Sequence, residues 1–164
     1  MINIAAALLL LTCQILTSFT CEIFEKISNK TWFDESAVPA GESIVFTKSE
    51  TGQKKVILQS HGFGVPVLFT EVYNIEIQHD TIYLTNSLKT NDAPKNFFIY
   101  NDQQGLLNKG KQLRVMFHEP IIYVWSEKRK IIDKKVNLNK VTSISFEKNE
   151  VIINDNTFKI LREE

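Results

Sequence analysis

Apolar and polar positions alternate with a period of two along most of this chain, and almost nowhere with the period of a helix. "YNIEIQHDTIYLTN" shows it most clearly: Tyr73, Ile75 and Ile77 fall on one face, Asn74, Glu76 and Gln78 on the other. His79-Asp80 then turns the chain into Ile82 and Leu84, which predicts a hairpin. "SIVFTK" (Ser43 to Lys48), "KKVILQS" (Lys54 to Ser60) and "VPVLFTEV" (Val65 to Val72) read as strands, with Thr51-Gly52 turning the first into the second. "FFIYN", "QLRVMFHE" and "IIYVWSEK" follow, the last two separated by Pro120. Between them "SLKTNDAPKN" reads as a polar loop and "DQQGLLNKGK" as a loop or helical turn. "SISF", "VIIN" and "TFKIL" close the chain as a meander, joined by connectors short enough only for antiparallel hairpins.

Only one stretch outside the N-terminus carries a helical spacing. Ile23, Phe24 and Ile27 share one helical face before Ser28-Asn29 ends the run. The turn-rich "KTWFDESAVPAGES" separates this segment from the first predicted strand. The fold class expected is therefore all-β: a single antiparallel meander barrel, or barrel-like sandwich, of about eight to ten strands. Closure solves the exposed-edge problem of so long a meander. The division expected is 1–20 as a signal peptide, 21–42 as a tether with a short helix and turn, and 43–164 as the barrel. Ile144, Phe146, Phe158 and Ile160 are expected to fill its closed end.

Residues 1–20 differ from everything after them. They hold no charged side chain, and Ile4 to Leu11 is an unbroken apolar run. That run is short for a spanning helix of ~20 residues and suits the apolar region of an export signal. Ser18 and Thr20 are small residues at the positions a signal peptidase reads, so cleavage would leave Cys21 first. The other cysteine, Cys13, would leave with the signal, which excludes a disulfide within the mature chain. "SFTC" loosely resembles the lipobox of bacterial lipoproteins, making Cys21 the lipidation candidate. A free thiol or an intermolecular bridge are the alternatives. The expected location is the periphery of a cell: periplasm, cell surface or secreted.

Composition narrows the function by exclusion. Lys+Arg and Asp+Glu balance at 19 each, whereas a nucleic-acid binder needs a basic surplus to displace counterions. Membrane contact is expected only through the Cys21 anchor. His61, His79 and His118 have no metal-ligand spacing, and no metal or other cofactor is expected. "SHGFGVP" resembles the oxyanion loop of esterases, but no Gly-x-Ser-x-Gly nucleophile elbow accompanies it; a glycine-rich barrel corner is the plainer reading. Asp34-Glu35 are adjacent and would point to opposite faces of a strand, so a turn role is expected rather than an acid–base pair. "SEKRKIIDKK" reads as a solvated hairpin tip, and Asn29-Lys30-Thr31 fits a glycosylation sequon.

A lead-in ending in "KTW" and a meander ending in "KILR" resemble the exported lipocalin-like proteins of bacteria. In that group a Trp on the first strand plugs one end of the barrel and an Arg near the last strand packs over it. Trp32 and Arg162 match these positions, although the usual Gly-x-Trp is Lys30-Thr31-Trp32 here. The resemblance implies a ligand-cavity or interaction barrel. The expected function is non-catalytic binding of a small apolar ligand or an envelope partner. The ligand-pocket candidates are Phe63, Phe69 and Tyr73, where Gly62 and Gly64 remove side-chain volume. A small hydrolase using His61 with a distant carboxylate, and a structural envelope-assembly subunit, are the alternatives.

Overall fold

A computed structural model describes residues 22–36, 41–62, 65–85, 97–126, 131–147, 150–153 and 156–159. Helix α1 (22–28) comes first, and the three residues of its predicted apolar face, Ile23, Phe24 and Ile27, are all buried in the main core. Burying each is worth about 1.5–3 kcal/mol, far more than a seven-residue helix gains from its own hydrogen bonds. Salt bridges from Lys26 to Glu22 and Asp102, and from Lys48 to Glu25, lie around its exposed side.

Nine antiparallel strands then form one sheet. They are β1 (Thr31–Asp34), β2 (Glu42–Lys48), β3 (Lys54–Gly62), β4 (Val65–Gln78), β5 (Thr81–Thr85), β6 (Phe97–Asn101), β7 (Gly105–Asn108), β8 (Lys111–Gln112) and β9 (Arg114–Phe117). Only Leu113 separates β8 from β9. This stretch pairs with β7 at its start and with β1 at its end, which nearly closes the sheet into a barrel. The expected antiparallel barrel is present.

Its extent differs from expectation at both ends. The first strand is β1, inside the turn-rich segment expected as tether, and β7 arises where the sequence predicts a loop or helical turn. After Pro120 the chain leaves the barrel. β10 (Ile121–Ser126) pairs with β11 (Ile131–Asn137), a 3-10 turn (Leu138–Lys140) follows, and β12 (Ile144–Glu147), β13 (Glu150–Ile153) and β14 (Asn156–Lys159) form a separate three-stranded sheet. The terminal meander pairs with itself, and Ile144, expected at the barrel's closed end, packs elsewhere; the side chains of Phe146 and Phe158 and the whole of Ile160 lie outside the described residues. Ile144 and Ile153 pack on the outside of the wall, with Val45, Ile57, Ile122 and Val136.

This second core explains a pattern that alternation alone does not. Ile44, Phe46, Val56 and Leu58 face the barrel interior, while Val45 and Ile57 face the second core. β2 and β3 are thus covered on both faces, and "IVF" and "VIL" read as continuous apolar runs. β5 has one solvated face and alternates strictly. Two polar side chains join the layers. Gln59 Oε1 accepts from the Tyr123 N–H at 2.7 Å and its Nε2 donates to the Tyr123 carbonyl at 2.6 Å. Thr31 Oγ1 donates to the Glu119 carbonyl at 2.6 Å and accepts from the Ile121 N–H at 2.8 Å. Each acts as a one-residue substitute for a strand partner, so β10 docks without leaving those backbone groups unpaired.

The interior is packed between α1 and the middle of the barrel. Trp32, 4% exposed, lies in this core. Its indole N–H donates to the carbonyl of Ile27 at 3.0 Å, one of the groups that a helix C-terminus leaves without an internal partner. One side chain therefore packs in the main core and caps the helix whose apolar face shares it.

Candidate functional site

Beyond Trp32 the interior opens. Asp34, Glu42 and Glu71 continue the inward-facing positions of β1, β2 and β4. They line a cavity of about 290 Å³ with Ser36, Leu58, Leu84, Phe98, Asn108, Lys109 and Lys111. Register places it at the end of the barrel opposite α1. Asp34 pairs with Glu42, Glu42 with Ser60, and β3 turns into β4 just beyond, where Gly62 faces Val65. Two tight features shape its rim. Gly41 has φ +129, and a Cβ there would collide with the Phe33 ring. Lys109 and Gly110 both have positive φ, as a two-residue hairpin between β7 and β8 requires.

The three carboxyl groups stand in different environments. Asp34 is 5% exposed. Burial works against its charge, but hydrogen bonds from Ser36 Oγ (2.6 Å), the Ser36 N–H (2.8 Å) and Asn108 Nδ2 (2.6 Å), together with Lys111, outweigh it and hold the group below its ordinary value. Glu42 is pushed up to about 7, first by burial and then by the charges of Glu71 and Asp34, with Lys109 opposing them. Among the described residues neither Glu42 nor Glu71 has a hydrogen-bonded or ion-paired side-chain partner. Lys109 and Lys111 are exposed at the rim.

Of the ligand-pocket candidates expected from the sequence, only Tyr73 has a described side chain, and it does not line the cavity. Tyr73 is half-buried and packs against the main core; the backbone of Phe69 pairs with Ser60. Phe63 lies outside the described residues, as do Arg162, Cys21 and the whole of 1–20. The cavity wall itself was legible in part. Glu42 shares the parity of Ile44 and Phe46, and Glu71 that of Tyr73, Ile75 and Ile77. An acidic residue in phase with an apolar face was the signal available. Asn108, Lys109 and Lys111 carry none, because "DQQGLLNKGK" reads as a loop or helical turn.

His61 lies on the other side of the wall. Its Nε2 is 2.7 Å from Ser43 Oγ, and its ring contacts Tyr123 edge-on at 5.5 Å and Phe33 at 6.4 Å. Ser43 is 1% exposed, so this hydroxyl is not within reach of a substrate. The residues of this group occupy the outward parity, whereas Asp34, Glu42 and Glu71 occupy the inward one. The sheet stands between the histidine and the cavity carboxylates. Among the described residues no three His, Cys, Asp or Glu side chains are grouped to hold a metal ion, and no helix is long and apolar enough to cross a membrane.

Comparison with family models, with curated proteins and with solved structures gives no match.

Proposed function

We propose that this chain is an exported, non-catalytic, lipocalin-like binding barrel, anchored through Cys21, that takes a small ligand with an apolar body at its mouth. The observation that carries the reading is the cavity at the end opposite α1. Its volume of about 290 Å³ is close to the lower bound of ligand pockets, roughly 300 Å³. Leu58, Leu84 and Phe98 supply apolar wall, and a few polar groups converge beside them, the composition that small-molecule sites share. Filling of the rest of the barrel by Trp32, Phe46, Ile44 and their neighbours confines a ligand to the mouth.

A screen of small neutral apolar fragments by NMR tests this. Hits are expected to shift the resonances of Leu58, Leu84 and Phe98, and to be lost in Leu84→Trp, which fills the cavity from β5. Asn108→Trp, at the half-buried rim, serves as a second blocking variant if Leu84→Trp does not fold. Hits that map elsewhere, or that persist in a folded blocking variant, would sink the reading. The export and anchor reading has its own measurement. Mass spectrometry of the protein recovered from a bacterial envelope should give a chain beginning at Cys21 and carrying acyl mass; an intact Met1 would remove it.

A further inference from the structure

The mouth cavity carries charge that the binding of a purely apolar ligand leaves unused. Glu42 on β2 and Glu71 on β4 face it from either side of β3, and neither carboxyl has a donor among the described residues. Asp34 is satisfied by Ser36 and Asn108. Lys109 and Lys111 form no ion pair with any of the three among the described residues; the four that occur lie elsewhere. Two partly buried carboxyl groups without donors are costly as a pair of charges. The same two groups, beside Leu58, Leu84 and Phe98, form an amphiphilic recess of one sign.

We infer that the mouth is a binding site for a small organic cation, with a protonated amine between Glu42 and Glu71 and a short hydrocarbon body against Leu58, Leu84 and Phe98. An ammonium group brings three N–H donors and no acceptor. It therefore satisfies both carboxylates at once, by charge-assisted hydrogen bonds of the stronger kind. A carboxylate ligand would meet like charge at the same place. A bare metal ion would leave the apolar wall without a partner.

The site is also tied to pH. The charged groups facing Glu42 are Asp34 from β1, Glu71 from β4, Lys109 from the β7–β8 turn and, beside Asp34, Lys111 from β8. With Glu42 near 7 in the empty protein, an amine must displace its proton at lower pH. Affinity should then fall about tenfold between pH 8 and pH 6, as the ionised fraction of the group falls.

This inference rests on the mouth being the ligand site, and the experiment separates the two. Isothermal titration calorimetry of the purified protein with n-hexylamine, 1-hexanol and hexanoate is run at pH 8 and pH 6, alongside the fragment screen. Hexylamine is expected to bind at least about tenfold tighter than hexanol at pH 8, to weaken about tenfold at pH 6, and to lose both properties in Glu42→Gln. Glu71→Gln provides an independent variant with the same expected loss of preference. Equal binding of hexanol or hexanoate overturns the cation inference and leaves the mouth a ligand site. Silence of all three probes while fragments still reach the mouth also overturns it. Silence of probes and fragments together removes the ligand site itself.

Discussion

Replacing Trp32 by alanine is expected to lower the free energy of unfolding by about 3–5 kcal/mol, the range for a large aromatic removed from a packed core. Two losses combine. The indole is buried among α1 and the barrel interior, with Gly105 at van der Waals distance, 3.9 Å from a Cβ position to the ring. The variant would also leave the Ile27 carbonyl without its 3.0 Å donor, at the point where the helix meets the barrel. Trp32→Phe keeps most of the volume and loses the hydrogen bond, so a smaller loss of about 1–2 kcal/mol is expected. Urea midpoints of the three proteins measure both. A change within the ~0.5 kcal/mol of ordinary surface substitutions would mean that Trp32 does not plug the barrel, and the lipocalin-like reading would go with it.

The elements that depend on local pattern were legible, and the ones that depend on distant partners were not. α1 follows from Ile23, Phe24 and Ile27, and the β4–β5 hairpin from strict alternation around His79-Asp80, where His79 takes φ 56. β1 was hidden because four residues, Thr31–Asp34, sit among turn formers, and only the ladder to β2 and β9 makes them a strand. β7 was hidden for a similar reason: "GLLN" has two apolar residues, of which Leu106 alone is fully buried. The terminal meander is the converse. Its three strands were plain, but alternation does not say which core they serve, and Ile144 and Ile153 serve the outer one. The cavity combines both kinds of residue. Glu42 and Glu71 stand in phase with apolar positions, but that they converge on one recess depends on barrel closure, which runs through the unrecognised β1 and β7.

Converting Glu42 to glutamine is expected to stabilise the protein at pH 8 by about 2–3 kcal/mol and to leave it nearly unchanged at pH 4. In the folded chain the group holds its proton up to about 7, against an ordinary value of 4.5. Below 4.5 folded and unfolded chains are both protonated, and the group contributes no difference. Between 4.5 and 7 the unfolded chain releases the proton while the folded chain keeps it, so stability falls as pH rises. Above 7 the fall is complete. Each pH unit of the interval is worth about 1.4 kcal/mol, and water at the cavity mouth screens part of the total. Asp34 acts in the opposite direction, since its held-down carboxyl loses its contribution as pH falls through its folded value; comparing the variant with the parent at each pH largely cancels that term. Glutamine keeps the size and removes the charge that burial, Glu71 and Asp34 oppose, so the gain measures the electrostatic cost of the empty mouth. Urea midpoints of both proteins at pH 4, 6 and 8 supply the test. An equal difference at pH 4 and pH 8, or a destabilised variant at pH 8, would show that Glu42 is solvated rather than enclosed, and the mouth would then lack the unpaired charge that an amine is expected to meet.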